Sequence, residues 1–455
     1  MATPLSARND WEANVELHAA IRTLGDFAAQ LRWSDLTEVT RSAATDVLVD
    51  TIGVTIAGAR TTELESLRSV YATTPGPCRP LGSAIQVPDV VAALLDGTAA
   101  CALELDEGNK RARGHPAAHV LPAAMAIGNV IEASGTEWLA AFVAGHEIAF
   151  RVAAATHLHP GVHPHGNAGA AGAAAAAGRL LGLTGPEIAA AIDAATALPI
   201  ATDFAAALDG SFVRNTWIGV ANSNGILAAR LAQAGLADVD GRAAGTLGRL
   251  LGVLNLDELT ADLGDRFAVT SGYFKRHASC SYTHPPADAV LALRDRGVTA
   301  NEVERIEVYT HRLAAALDRA EPATRLAAMF SIPYVVAATF HHGRFDVEAS
   351  SESSRSNEQI AHLAAVTEVL HDPNLDERLP DERSARLTAH LRDGSKQTIE
   401  VPNPVGDTSY QPLDRAALHD KLDHLLRPGE SAAIARWVEE LASAPDMTQH
   451  LTKLP

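Results

Sequence analysis

A strongly charged stretch between two apolar segments constrains this chain most. Residues 104–119 read ELDEGNKRARGHPAAH, and the flanking segments read VAALLDGTAACAL (91–103) and VLPAAMAIG (120–128). The flanks are too long and too apolar for solvated loops, so they predict two buried helices. The carboxylates, cations and imidazoles between them are costly to bury unless they pair with each other or with a ligand. The stretch therefore indicates an active site, and a surface loop joining two core helices is the alternative.

Helical periodicity fills most of the first half of the chain, where alanine is abundant. The predicted helices cover 12–32, 36–58, 133–158, 167–183, 185–197 and 216–236. Glycines at 166, 169 and 172 resemble a phosphate-binding loop, but no strand precedes them and no Gly-Lys-Ser/Thr follows. Small residues three apart instead indicate a helix that approaches its neighbours closely.

The pattern changes near residue 270. Residues 301–311 alternate like a strand, and 386–402 form two alternating runs around Asp393-Gly394, which predicts a hairpin. Helical patterns at 323–341 and 357–371 lie between them. The tail returns to amphipathic helix at 412–426 and 430–443, and we expect it to pack on the first helices.

These patterns define the predicted fold class, which is mainly α. One all-α helical domain is expected from both chain ends, residues 1–269 and 404–455. An α+β domain is expected from the inserted residues 270–403.

Composition restricts the partners and the compartment. The formal net charge of −18 argues against nucleic-acid binding, which needs a basic surface. Cys78, Cys101 and Cys280 lack Cys-x-x-Cys spacing and cannot frame a disulfide scaffold. The first 18 residues show no signal-peptide pattern, and no run of about 18 uncharged apolar residues predicts a membrane span. We expect a soluble cytoplasmic protein without membrane contact.

Four histidines form the pattern H-x-H-x3-H-x-H at positions 157, 159, 163 and 165. Imidazoles two apart on an extended chain could hold a metal, although the intervening prolines and glycine impose turns and no carboxylate lies nearby in sequence. Structural histidines and an acid–base histidine in a pocket are the other interpretations. His163 and His165, next to the small-residue helix, are the best acid–base candidates.

Three further polar residues interrupt apolar segments: Arg214, Lys275 and Tyr334. Each alone could be ordinary, as a solvated arginine, a lysine reaching to solvent and a core tyrosine. Together with residues 104–119 they supply cations, a hydroxyl, carboxylates and imidazoles. This combination suits a polycarboxylate substrate.

Five ordered blocks resemble one known family. They read LELDEGNKRARGHPAAHVLPAAMAIG, HPHGNAGAAGAAAAAGRLLGL, VRNTWIGVANSNGILAARL, FKRHASCSYTHPPADAVLAL and FSIPYVVAATF. They are similar to the MmgE/PrpD family of 2-methylcitrate dehydratases, cis-aconitate decarboxylases and iminodisuccinate epimerases. The resemblance implies a large helical domain with a smaller inserted α+β lid domain, and a homodimer that uses neither metal nor organic cofactor.

The resemblance also implies roles for residues of this chain. The implied catalytic residues are His115, His163, Lys275 and Tyr334, and the implied substrate-binding residues are Glu104, Asp106, Glu107 and Arg214. Three positions depart from the decarboxylase pattern: Glu104 replaces an aspartate, Gly108 a threonine and Arg214 a lysine. These departures favour a substrate other than cis-aconitate.

The expected function is therefore a cofactor-independent lyase that removes water from a small hydroxy-polycarboxylate. His163 or His115 would abstract a proton α to a carboxylate, and Arg214 and Lys275 would stabilise the resulting enediolate. Tyr334 or the other histidine would donate to the leaving hydroxyl. Decarboxylation of a cis-aconitate-like acid and epimerisation of a dicarboxylate are the alternative reactions. A catalytically silent polycarboxylate-binding protein and a metal hydrolase that uses the histidines are the alternatives from other classes.

Overall fold

The computed structural model describes residues 10–454, so residues 1–9 of the predicted first domain and of the signal-peptide prediction lie outside the described residues. Most residues between 10 and 260 are helical. Their helices are α1 (Asp10–Gln30), α2 (Glu38–Gly58), α3 (Thr62–Tyr71), α4 (Asp89–Cys101), α5 (Pro116–Gly128), α6 (Gly135–Ala155), α7 (Ala170–Leu180), α8 (Gly185–Thr196), α9 (Ala205–Leu208), α10 (Val213–Gln233), α11 (Arg242–Gly245) and α12 (Asp257–Thr260). Strands β1 (Thr156–Leu158) and β2 (Gly252–Leu254) pair in an antiparallel ribbon.

Local sequence explains where several of these helices begin. The Thr37 side chain accepts a hydrogen bond from the Thr40 amide at the start of α2, and Thr184 and Glu187 form a capping box at the start of α8. Proline stands at the first position of α5, where its missing N–H costs nothing.

Small residues allow the central helices to pack closely. A Cβ added to Gly172 of α7 would lie 2.4 Å from the Gly145 carbonyl oxygen of α6. A Cβ added to Gly219 of α10 would lie 2.1 Å from the Leu94 carbonyl oxygen of α4. Only glycine permits such contacts, so the packing interpretation of the small-residue segment is confirmed.

The rest of the chain combines helices with a four-stranded sheet. The helices are α13 (His284–Asp295), α14 (Arg312–Ala315), α15 (Arg325–Met329), α16 (Ile332–His342), α17 (Glu352–Arg355), α18 (Glu358–Ala365), α19 (Pro373–Asp376), α20 (Arg415–Leu425), α21 (Glu430–Leu441) and α22 (Met447–Leu451). The strands are β3 (Val303–Thr310), β4 (Thr367–His371), β5 (Ala385–Leu391) and β6 (Lys396–Val401), in the order β4-β3-β5-β6. The predicted hairpin corresponds to β5 and β6, which pair in antiparallel register.

One predicted helix is wrong in its second half. Helical periodicity was expected across 357–371, but α18 ends at Ala365 and residues 367–371 form β4, parallel to β3. The β-branched residues Thr367 and Val369 suit a strand, and pairing with β3 satisfies their backbone. Pairing with β3 determines the secondary structure of this segment more than its helical periodicity does.

The C-terminal helices pack on the first helices, with α20 and α21 against α2. Arg60, just after α2, forms two hydrogen bonds of 2.7 Å each with the carboxylate of Glu430 at the start of α21. One hydrophobic core runs from α2 into the sheet and includes Leu48 and Val308. The mainly α class is confirmed, whereas the division into a helical domain and a lid domain stays a prediction.

By length and composition, one described helix could cross a membrane. This helix is α6, and 89% of its apolar window is buried within the fold, as in the core helix of a globular protein. The pair α2 and α3 passes the same test only if it is counted as one span bent by 81°.

Candidate active site

The charged stretch between α4 and α5 is buried. Glu104, Asp106 and Glu107 are each at most 2% exposed, so the alternative of a surface loop is wrong for these three residues. Glu104 has a φ of +52°, in the left-handed region that non-glycine residues seldom adopt. This conformation follows the turn that ends α4, and it carries a measurable backbone cost at the centre of the candidate site.

Two buried cations pair with Glu104 and Asp106, two of the three buried carboxylates of this stretch. Arg214, at the start of α10, donates through Nη1 to Oε1 of Glu104. Lys275 Nζ lies 3.2 Å from Oε2 of Glu104 and 3.2 Å from Oδ1 of Asp106. Burial opposes the charge of Lys275, but the two carboxylates outweigh it and raise the pKa of the lysine above its ordinary value. Residues from three distant segments thus form one compact ion cluster.

Asp106 keeps one oxygen without a hydrogen bond. Burial alone would raise the pKa of its carboxyl, yet His115, Lys275 and Arg214 lower it below the ordinary value. Its Oδ2 lies 3.0 Å from Nδ1 of His115 but has no hydrogen-bond partner among the described residues. A buried carboxylate oxygen in this state is suited to a water molecule or a substrate hydroxyl.

Four buried histidines lie beside the ion cluster: His115, His119, His163 and His165. The ring of His165 makes edge contacts with the other three, with centroids 4.4–5.9 Å apart. Burial lowers the pKa of all four imidazoles, to about 4 for His119. The group is therefore neutral near pH 7, which fits proton acceptors better than cations.

Backbone partners fix the tautomers of the two predicted catalytic histidines. Nδ1 of His115 lies 2.7 Å from the Glu107 carbonyl oxygen, which can only accept, so Nδ1 carries the hydrogen and Nε2 has the lone pair. Nδ1 of His163 accepts from the His165 amide at 3.1 Å, which places the hydrogen on Nε2. The 3.4 Å contact between Arg214 Nε and His163 Nε2 is then too long and wrongly polarised for a hydrogen bond. We assign the tautomers from the shorter contacts.

Tyr334 forms its side-chain hydrogen bond outside the ion cluster. Its hydroxyl donates to the Ala349 carbonyl oxygen at 2.8 Å, and its ring contacts Phe345 edge-on. Burial raises the pKa of this hydroxyl above its ordinary value. Among the described contacts, none joins Tyr334 to the ion cluster, so its catalytic role stays a prediction without support from this arrangement.

The histidine motif divides between two environments. His157 contacts Arg113 at 2.9 Å and His159 contacts the Arg249 carbonyl oxygen at 3.3 Å, both near the surface, whereas His163 and His165 are buried. Within residues 14–454, no three His, Cys, Asp or Glu side chains converge as a metal site would require. The metal-hydrolase alternative therefore has no ligand set in this part of the chain.

A small cavity of about 20 Å³ lies on the His115 side of the cluster, with room for roughly one water molecule. Its lining includes Arg113, His115, His119 and Asn167. A larger groove lies near α3, but it contains none of the predicted site residues. The small cavity is lined by neither Arg214 nor Lys275.

The structure explains why position 108 is a glycine, which the sequence alone does not. Gly108 and Tyr273 exchange two backbone hydrogen bonds, of 3.0 Å and 2.7 Å. A Cβ at Gly108 would lie 2.4 Å from the Tyr273 hydroxyl oxygen. A side chain at position 108 would therefore require the ring of this tyrosine to shift, and Tyr273 joins the acidic stretch to the segment that carries Lys275.

Two models of one protein family match most of the chain. The MmgE/PrpD N-terminal domain matches residues 22–248, and the MmgE/PrpD C-terminal domain matches residues 277–443. The chain belongs to the MmgE/PrpD family. Among curated MmgE/PrpD relatives, a cis-aconitate decarboxylase of Aspergillus terreus (strain NIH 2624 / FGSC A1156) is 26% identical over 463 residues, which cover 94% of this chain and 93% of the relative. The cis-aconitate decarboxylase-like protein oryM of Aspergillus oryzae is 25% identical over 417 residues, which cover 84% of this chain and 86% of the relative.

Proposed function

We propose that this protein is a lyase that acts on a small hydroxy-polycarboxylate and removes water from it. The observation that carries the proposal is that His115, whose Nε2 has the lone pair, lies 3.0 Å through Nδ1 from Asp106, which also contacts the buried Lys275 at 3.2 Å. A neutral imidazole beside two cations can remove a proton α to a carboxylate, because the cations stabilise the negative charge that develops. Family membership and the lyase relatives support the reaction class.

The tautomers of His115 and His163 determine the catalytic role of each histidine. His115 Nε2 takes the α proton, and Lys275 and Arg214 stabilise the enediolate. His163 presents Nε2–H to the leaving hydroxyl and orients it. As the C–O bond breaks, the proton that His115 accepted passes to the leaving hydroxyl, so that water departs and His115 returns to its neutral form. Glu104 and Asp106 hold the cations in place until substrate carboxylates compete for them.

Decarboxylation is the second candidate, because the relatives named above are cis-aconitate decarboxylases or resemble them. In that reaction a substrate carboxylate leaves as carbon dioxide and the carbanion takes up a proton. The same cations would stabilise the carbanion. Arg214 favours dehydration, since a guanidinium can clamp a carboxylate with two hydrogen bonds and oppose its departure.

A panel of di- and tricarboxylates, including 2-methylcitrate, citrate and cis-aconitate, tests the proposal by NMR in deuterated water. Dehydration predicts new vinyl signals from the hydroxy acids, and decarboxylation predicts loss of one carboxyl carbon. Epimerisation predicts deuterium at the α carbon without loss of mass. No change in any acid would refute the lyase proposal and favour the silent binding protein. Activity measured with and without a chelator tests the expected independence from metals.

Assembly and location belong to the same proposal. We expect a cytoplasmic homodimer, as the family resemblance implies. Light scattering during gel filtration would give twice the 47.7 kDa chain mass for a dimer. A monomeric mass would refute the expected assembly without affecting the proposed chemistry.

A further inference from the structure

Four arginine or lysine side chains are buried among the described residues: Arg151, Arg214, Lys275 and Arg383. Arg151 pairs with Glu147, and Arg214 and Lys275 pair with the carboxylates of the candidate site. Arg383, 5% exposed, has no ion-pair partner in the described part of the chain. A buried charge without a counter-charge is costly, so this arginine needs an explanation.

Neutral groups hold Arg383 in place. Its Cζ lies 5.3 Å from the ring centroids of both Tyr273 and Tyr282, within the range of cation–π attraction. Nη1 donates to Ser281 Oγ at 2.8 Å and lies 3.4 Å from the Tyr273 hydroxyl, and Nη2 donates to the Lys110 carbonyl oxygen at 3.3 Å. The guanidinium is thus oriented and desolvated, while its charge remains uncompensated.

The neighbours of Arg383 lie on two segments that also carry residues of the candidate site. Lys110 follows the acidic residues in the same stretch, and Tyr273 lies two residues before Lys275. The backbone pairing of Tyr273 with Gly108 joins these two segments directly. Arg383 therefore contacts two of the three segments that contribute to the ion cluster.

Charge balance separates Arg383 from the other cations. Glu104 and Asp106 already compensate Arg214 and Lys275, so these four residues present no net positive charge to an anion. A polycarboxylate brings two or three negative charges. A cation without a carboxylate partner is the group best able to attract them, and an arginine fork matches carboxylate geometry.

We infer that Arg383 binds a substrate carboxylate remote from the reacting carbon, and that it gives the site a preference for tricarboxylates over dicarboxylates. The inference rests on the proposed function for the identity of the ligand. Tyr273, Tyr282 and Ser281 position the guanidinium, and Gly108 makes room for Tyr273. Arg383 is a binding residue and takes no part in proton transfer.

Calorimetric titration of Arg383→Gln with two inert acids tests the inference. The acids are propane-1,2,3-tricarboxylate and methylsuccinate, which lacks one terminal carboxylate. Loss of a charge-assisted contact should weaken binding of the tricarboxylate about 10- to 100-fold and reduce the preference over methylsuccinate by the same factor. Arg386→Gln is the matched control, because Arg386 lies three residues later in β5, stacks on Tyr309 at 4.8 Å and pairs with Asp372. The control should leave both affinities within about twofold of wild type.

The outcomes are distinguishable. An unchanged tricarboxylate affinity in folded Arg383→Gln, even with a lower thermal midpoint, would show a structural brace and overturn the inference. Absence of tricarboxylate binding by the wild type would also overturn it. Binding that depends on Arg383 in a protein that converts no polycarboxylate would sustain the inference and refute the proposed function alone. If Arg383→Gln does not fold, Arg383→Lys decides: about tenfold weaker tricarboxylate binding supports the fork geometry, and unchanged binding refutes it.

Discussion

Replacing Glu104 by glutamine tests the charge balance of the candidate site directly. The substitution keeps the size of the side chain and removes the one carboxylate that contacts both Arg214 and Lys275. Asp106 alone would then face two buried cations. We expect a folded but less stable protein that binds polycarboxylates more tightly than the wild type does.

The magnitude follows from the geometry. Two unit charges 3.2 Å apart, as Lys275 Nζ and Glu104 Oε2 are, attract by about 5 kcal/mol at an effective dielectric constant of 20. Relaxation returns part of this energy, and removing one partner of a buried ion pair typically costs about 3–5 kcal/mol. The free energy of unfolding of Glu104→Gln should fall by about that amount. A bound polycarboxylate should restore much of it, because a substrate carboxylate takes the place of the lost charge.

Thermal denaturation with and without propane-1,2,3-tricarboxylate measures both effects. Glu147→Gln is the matched control, since Glu147 is also buried and pairs with Arg151 at 2.7 Å, but outside the ion cluster. Both variants should unfold at lower temperature than the wild type, and only Glu104→Gln should gain more from the ligand than the wild type gains. Wild-type stability in Glu104→Gln, or equal ligand rescue in both variants, would refute the reasoning.

Three further predictions concern individual residues. Arg214→Lys should weaken transition-state stabilisation by roughly 2–4 kcal/mol, seen as a lower kcat/KM with a lower kcat; unchanged kinetics would remove Arg214 from the site. His115→Ala and His163→Ala should each lower the rate by about 10²–10⁴-fold, whereas His157→Ala, near the surface, should change it little; equal damage at His157 would contradict the site. Burial lowers the pKa of His119 from 6.5 to about 4, so below pH 6.5 the unfolded chain binds a proton that the folded chain refuses. The unfolding midpoint should therefore fall progressively from pH 6.5 towards pH 4, and His119→Gln should flatten that fall; an identical pH profile in the variant would contradict the assignment.

The acidic stretch could be predicted because its flanks are unmistakably apolar. Helices α4 and α5 follow from composition, and the chain between them has no route to solvent for Glu104 and Asp106. Arg214 and Lys275 stood out for the same reason, as charges inside apolar segments. When charges of opposite sign lie inside apolar segments that are distant in sequence, this is a strong indication that they pair in the folded protein.

Other features depend on contacts that periodicity does not encode. Arg383 lies just before β5. The pairing of β5 with β3 places Arg383 against Lys110, which is more than 270 positions earlier in the sequence. Tyr334 resembled a site residue by motif, but the packing of α16 directs its hydroxyl to Ala349. The tautomers of His115 and His163 depend on single backbone atoms, which no sequence pattern specifies.

A site whose charges cancel before the substrate arrives places conditions on binding. A polyanion can enter if carboxylates of the protein release their cations, or if a further cation supplies the missing charge. Glu104 meets the first condition in part, because its left-handed backbone carries a cost that a rearranged turn would relieve. Arg383 meets the second, since it is the buried cation that lacks a carboxylate among the described residues. Anion binding in this protein should therefore depend on both residues. Glu104→Gln should raise the tricarboxylate affinity and Arg383→Gln should lower it, so the affinity of the double variant should lie close to the wild-type value.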